Sequence, residues 1–128
     1  ASVGMANLVE IQENVIDKHK ENGKYYDEAL KDIEGITLMK RDDRMDSSYW
    51  IYSILVDRKD DFAEHMKKCG IATSQVHERN DIHSCLSEFQ VQLPNLDSIK
   101  GRLSAIPVGW WVSNEEREYI IECIKKGW

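Results

Sequence analysis

YWIYSILVDRKDDFAEHMKKCGIATSQVH, residues 49–77, is the stretch whose reading decides the fold. Its first eight residues, Tyr49 to Val56, are aromatic or branched apart from Ser53, the composition of a strand. Strand alternation places Trp50, Tyr52, Ile54 and Val56 on one face and Tyr49, Ile51 and Leu55 on the other. Both faces are apolar, which predicts a central position in a sheet. Asp57 is then expected to cap a helix, with Asp60 and Asp61 in its first turn, Phe62 and Met66 on its buried face and Lys67 and Lys68 near its end. Gly70 ends that helix, and Ile71 to His77 reads as another strand. Strand, helix and strand with such short joints predict a βαβ unit with its two strands parallel.

Working outward toward the amino end, residues 3–33 read as helix, with Leu8, Ile11, Val15 and Ile16 at helical spacing and Tyr26, Ala29, Leu30 and Ile33 resuming the stripe. Asn22-Gly23 between them is a turn-type dipeptide and predicts a kink or break. Gly35 ends the helical region, Ile36 to Met39 is a short strand candidate, and Lys40 to Asp46 is a polar loop. On the carboxyl side, short helices are expected over Asp81 to Phe89 and Asp97 to Leu103, with a turn at Leu93-Pro94-Asn95. Pro107 and Gly109 disfavour a regular strand across 105–112. Ser113 followed by Glu116 is a capping box, whose loss costs about 1 kcal/mol, so the start of the terminal helix is specified locally. Gly127 stops that helix, Lys125 and Lys126 complement its dipole, and Trp128 is expected to plug its end. The whole of 1–128 reads as a single α+β domain: a long N-terminal helix, a small mixed β-sheet containing a βαβ unit, helices packed on the sheet and a C-terminal helix.

Composition narrows function. The net charge of −6 opposes non-specific nucleic-acid binding, which depends on neutralising phosphates. No apolar run approaches the roughly 20 residues that span a bilayer, and the amino end lacks the pattern of a secretory signal. Cys69, Cys85 and Cys123 are odd in number and form no CxxC pair, which predicts reduced thiols in a cytoplasmic protein. His77, His83 and Cys85, with Glu78 or Asp81, carry zinc-ligand chemistry, but their spacing matches no familiar zinc pattern. The segment reads instead as a polar loop, either at a ligand cleft or in solvent. His77, Arg79 and Asn80 supply donors and a fixed charge suited to a phosphate or sugar. His19 and His65 are read as structural. Trp110-Trp111 is read as one ring packed inward and one against a neighbouring element, rather than as a stacking platform for a ligand. The chain has no GxSxG elbow, P-loop or GxGxxG, and its paired carboxylates stand at helix starts as dipole partners.

Several stretches together resemble the carboxyl-terminal part of the DegT-type nucleotide-sugar aminotransferases, the fold-type I pyridoxal-phosphate family. ASVGMANLVEIQENVIDKHKENGKYYDEAL is similar to the long helix that joins that family's large and small domains. SSYWIYSILVDRKDDFAEHMKKCGIATSQVH is similar to its strand, helix and strand, and HERNDIHSCLSEF, LPNLDS and IPVGWWVSNEEREYIIECIKKGW resemble the endings of a subgroup. The resemblance implies that the Schiff-base lysine, the aspartate facing the pyridine nitrogen and the ring-stacking aromatic belong to a large domain preceding this stretch. Lys18, Lys24, Lys59 and Lys125 lack the family's lysine context, and Ser98-Ile99-Lys100 imitates it in the wrong place. The expectation is therefore no catalytic residue and no bound cofactor in this chain alone, with pyridoxal phosphate belonging to the full-length enzymes. A substrate-contact role for His77, Arg79 and Asn80 toward a nucleotide-sugar is carried over by position. Expected partners are a second copy of the chain or a large domain. A standalone binding module and one half of a split aminotransferase are the alternatives.

Overall fold

The computed structural model describes residues 2–42 and 44–128. The elements run α1 (Ser2–Ala6), α2 (Leu8–Ile11), a π-helical turn (Gln12–Ile16), α3 (Asp17–Ala29), β1 (Ile36–Leu38), β2 (Tyr52–Val56) and α4 (Lys59–Lys68). Two 3-10 turns follow (Asn80–Ile82 and Ser84–Phe89), then α5 (Pro94–Lys100), β3 (Leu103–Ile106) and α6 (Asn114–Lys125). The architecture is α+β, with a long helical region near the amino end and a terminal helix, as the sequence predicts. The polar run 40–46 is a loop, of which Asp43 lies outside the described residues.

The sheet corrects the expected parallel pair. Its order is β1-β2-β3 and both pairings are antiparallel, with Ile36 opposite Val56 and Tyr52 opposite Ile106. β2 is central, but β3 takes the place beside it that a parallel Ile71 to His77 would occupy. That segment instead makes one antiparallel bridge to the far side of β3, with Ser74 N–H donating to Ala105 O at 3.2 Å and Ala105 N–H to Ser74 O at 2.7 Å. Since 71–77 and β2 are each antiparallel to β3, they run in the same direction with β3 inserted between them. The crossover was legible and the neighbour was not. The physical reason lies in burial: Ser104, Ala105 and Ile106 are buried, whereas Ala72, Ser74 and Val76 are exposed. The short apolar β3 therefore takes the inner position, although Pro107 and Gly109 follow it closely.

β2 buries Tyr52, Ile54 and Val56 completely and leaves Ser53 and Leu55 half-buried, so one face carries the core. Trp50 does not join it and stands in solvent. Against the sheet pack Tyr26 of α3 with Leu30 just after its end, Phe62 and Met66 of α4, and Ile120, Ile121, Cys123 and Ile124 of α6. Asp57 is not the cap of α4: the N-cap is Arg58, in left-handed conformation (φ 51°) and without a side-chain cap bond. Asp57 closes the neighbouring corner instead. Its N–H donates to Gly35 O at 2.8 Å, its carbonyl accepts Trp128 Nε1 at 2.7 Å, and its carboxylate pairs with Arg102 at 2.9 Å. Trp128 plugs the end of α6 as expected, lying edge-on to Phe62 with ring centroids 5.0 Å apart.

The expected break at Asn22-Gly23 is absent. Both residues are buried inside continuous α3, and the irregularity falls at the π-helical turn over Gln12–Ile16. A side chain at position 23 would collide with Tyr49, whose ring carbons lie 2.2 Å from an ideal Cβ there. Gly23 is thus a contact surface for a ring, and Asn22 a buried clamp. The helix ends earlier than expected, at Ala29, and a turn carries the chain to Gly35 (φ 82°). The short helix placed over Asp97 to Leu103 starts at Pro94, because proline's fixed φ suits the first helical position. Asp81 to Phe89 splits into its two 3-10 turns at extended His83. The capping box is formed: Glu116 N–H donates to Ser113 Oγ at 3.1 Å and Ser113 N–H to Glu116 Oε2 at 2.8 Å.

Candidate functional site

The polar loop after Ser74 holds the three residues singled out for a phosphate or sugar, and the structure treats them differently. Arg79 is largely enclosed. It donates from Nε and Nη2 to the Asp81 carboxylate at 2.6 and 2.5 Å, and from Nη1 to the Asp97 carboxylate on α5. The hydrogen bonds to Asp81 raise the guanidinium further above its ordinary value, and Arg79 in turn holds the Asp81 carboxyl below the usual range. Two carboxylates thus neutralise the cation and fork it between the loop and α5. Arg79 acts here as a strut of the loop. His77 and Asn80 are exposed; the His77 carbonyl accepts from Gln75 Nε2, and the Asn80 carbonyl accepts from His83 N–H. An open groove of about 430 Å³ beside the strut is lined by Arg79, Asp81, Gln90, Asp97 and Lys100. His77, His83 and Cys85 do not converge on a common point, and among the described residues no three His, Cys, Asp or Glu side chains gather as metal ligands.

A second surface is apolar. Met5, Leu8 and Val9 on the first turns of the N-terminal helical region are 75%, 63% and 69% exposed, and Ile11 is also exposed. Trp110 and Trp111 are 53% and 64% exposed, so neither ring turns inward as expected. The inward positions of that segment belong to Val108 and Val112. The Trp111 ring lies over Gly109, where a Cβ would come within 2.3 Å of it, and edge-on to His19 at 6.1 Å. A groove of about 350 Å³ runs between the two elements, lined by Asn7, Glu10, Ile11, Asn14, Val15 and Trp110. Exposed apolar surface of this extent is a mark of an interaction site.

Asn22 fixes the geometry of that surface. Its Nδ2 donates to the carbonyls of Val108, Gly109 and Val112 at 3.3, 3.1 and 3.3 Å, and its Oδ1 accepts from Arg117 Nη1 at 3.1 Å. Arg117, buried on α6, stacks over the Tyr25 ring at 4.0 Å and pairs with Glu21 at 3.3 Å. Sequence reasoning missed this clamp, because an asparagine next to a glycine carries the signal of a turn.

A closed lock lies behind it. Asp27 accepts from the hydroxyls of Tyr49 and Tyr52, each at 2.7 Å, and pairs with Arg41 at 3.1 Å, while Arg41 lies 4.4 Å above the Tyr49 ring. Burial, with the Asp27 hydrogen bond second, pushes the Tyr49 hydroxyl up to about 12, and the same two causes raise Tyr52 further. A raised folded-state value means that the neutral phenol stabilises the fold fully below the ordinary tyrosine value of about 10, and that this contribution is lost as pH rises through the folded value. Unfolding by base is therefore expected to begin above about pH 10 and to steepen toward pH 12, read as a falling urea midpoint with pH. Tyr49→Phe should make that fall shallower and leave its onset in place, because Tyr52 still titrates from the same unfolded-state value.

Among the described residues, none fits the role of a pyridoxal-phosphate anchor. An anchoring lysine must be desolvated or otherwise activated. Among the described residues no lysine is buried: Lys18 pairs with Glu21 at 2.7 Å in solvent, Lys59 donates to Gln75, and Lys100 lines an open groove.

Against known proteins, residues 1–125 match the DegT/DnrJ/EryC1/StrS aminotransferase family. The sugar aminotransferase CalS13 from Micromonospora echinospora superposes with a TM-score of 0.93 at 38% identity, over 98% of this chain and 34% of that one. AtS13 from Actinomadura melliaura gives 0.93 at 36% identity, over 98% of this chain and 33% of that one. The erythromycin biosynthesis sensory transduction protein EryC1 of Saccharopolyspora erythraea is 25% identical over 109 residues, which are 81% of this chain and 30% of EryC1. The chain spans about a third of the length of each of these relatives. It belongs to the DegT/DnrJ/EryC1/StrS aminotransferase family.

Proposed function

We propose that this chain is the small, C-terminal domain of a pyridoxal-phosphate-dependent nucleotide-sugar aminotransferase, and that it is not catalytic by itself. The observation that carries this reading is the uncovered apolar side of the N-terminal helical region together with Trp110 and Trp111. A domain of a larger enzyme needs such a side to meet the rest of that enzyme. The length ratio to CalS13 and AtS13 supports it, as does the lack of a buried lysine among the described residues. Pyridoxal phosphate and its anchoring lysine then belong to a large domain, and the small domain closes one side of the cleft. His77 and Asn80 face the nucleotide-sugar from the polar loop, and Arg79 keeps that loop in place through Asp81 and Asp97. The free cysteines suit a reducing cytoplasm, and no described helix is long and apolar enough to cross a membrane.

The purified chain, given pyridoxal phosphate, an amino-acid donor and a nucleotide-linked keto-sugar, is expected to transfer no amino group. Titration with nucleotide-sugars should give no saturable heat, and sedimentation should show self-association rising with concentration. Turnover by the chain alone would overturn the reading. Saturable binding abolished by His77→Ala would replace it with a standalone binding module, and a monomeric profile at every concentration would remove the open apolar side from the argument.

A further inference from the structure

Cys69 caps the carboxyl end of α4, and Cys123 lies near the end of α6. Two ties hold these helix ends together. His65 Nε2 lies 2.7 Å from the Cys123 carbonyl oxygen and 3.9 Å from Cys69 Sγ, and Tyr119, one turn before Cys123, donates its hydroxyl to the Cys69 carbonyl at 3.1 Å. The His65 imidazole edge therefore brings the Cys69 thiol beside the main chain of Cys123. They differ in access: Cys123 is fully buried, and Cys69 is half-buried. Cys85, the third free cysteine, is exposed in the polar loop.

We propose that Cys69 and Cys123 form a redox-sensitive dithiol, a modification site that reacts with small disulfides such as glutathione disulfide and closes to an intramolecular bridge between α4 and α6. The accessible Cys69 loses its proton to solvent and attacks one sulfur of glutathione disulfide, forming a mixed disulfide and releasing one glutathione thiolate. Cys123 Sγ then attacks Cys69 Sγ, and the second glutathione thiolate leaves with the Cys123 proton. Two protein thiols are oxidised by two electrons, and one glutathione disulfide is reduced to two thiols. His65 is not the base for the first step. At 2.7 Å from a carbonyl its Nε2 carries the proton and donates it, so that nitrogen has no lone pair for a thiol or a metal ion. Hydrogen bonding to the Cys123 thiol, with burial second, holds the Cys69 thiol above its ordinary value, so bridge formation should accelerate with alkalinity.

The test is incubation of the purified chain with excess glutathione disulfide, followed by thiol counting and peptide mass analysis. The expected result is loss of Cys69 and Cys123 as titratable thiols, one peptide containing both, and a glutathione adduct on Cys85 only. Cys123→Ser should convert the bridge into a lasting adduct on Cys69. A stable adduct on Cys69 in the unmodified sequence would overturn the proposal. So would two thiols that stay titratable after Cys85 has reacted completely. Both readouts come from the unmodified sequence, so they stand even where the serine variant folds poorly.

Discussion

Gly23→Ala is expected to destabilise the fold by about 3 kcal/mol, although alanine is the better helix former by about 1 kcal/mol. The substitution adds one methyl group inside α3, where an ideal Cβ would lie 2.2 Å from two carbons of the Tyr49 ring and 2.7 Å from a third. The ring has little room to yield. Its hydroxyl is bonded to Asp27, Arg41 lies over the ring, and its backbone sits at φ 49° with its carbonyl in contact with His19 Nδ1 at 3.1 Å. Separation therefore requires α3 and the segment before β2 to move apart, which opens the core around Tyr26 and Tyr52. Urea unfolding measures the effect. Gly4→Ala is the control, because nothing lies within 4 Å of a Cβ there, so the propensity gain should appear alone as a small stabilisation. A double-mutant cycle tests the cause: with Tyr49→Ala in place, Gly23→Ala should cost little more. Stabilisation by Gly23→Ala in the parent sequence would show that the helix can slide away from the ring.

What the sequence made legible was local chemistry. Ser113 and Glu116 satisfy each other's backbone within one turn, so their spacing specified the start of α6 without knowledge of the fold. Tyr52, Ile54 and Val56 announced a central strand through composition alone. The missed features depend on residues distant along the chain. β3 is four residues with a buried serine, and nothing within it says that it will lie between β2 and the Ser74 segment. Asn22-Gly23 has the composition of a turn, and only Tyr49 and the Val108–Val112 carbonyls turn it into a packing surface and a clamp. Arg79 is the corresponding case in the candidate site. A free guanidinium in a polar loop suggests a phosphate ligand, but Asp81 and Asp97 reach it first. The residue types for ligand chemistry were readable; which of them are already engaged by neighbours was not.

Asn22→Ala carries the second large effect, a loss of about 3 kcal/mol with a distinct structural signature. It removes the amide that serves three carbonyls on Val108, Gly109 and Val112, and it takes from Arg117 the Oδ1 that accepts from Nη1. Each of the three carbonyl bonds is long, at 3.1 to 3.3 Å, so their separate contributions are small. The larger cost is that buried polar groups lose their partner, at about 1–3 kcal/mol per group left unsatisfied. Arg117 is the most sensitive of them, because among the described residues its Nε has no partner and Glu21, its carboxylate contact, is exposed. The indole N–H resonances of Trp110 and Trp111 should shift and broaden as the turn that presents them loosens. That of Trp128, bonded to the Asp57 carbonyl, should stay in place. Asn22→Asp separates the two roles: it keeps an oxygen for Arg117 but points a second oxygen at three carbonyls, so the turn should loosen while α6 holds. If Trp110 and Trp111 meet a large domain, both variants should weaken that association by more than their loss of stability explains. Unchanged indole resonances in a folded Asn22→Ala protein would show that Val108 and Val112 hold the turn without the clamp.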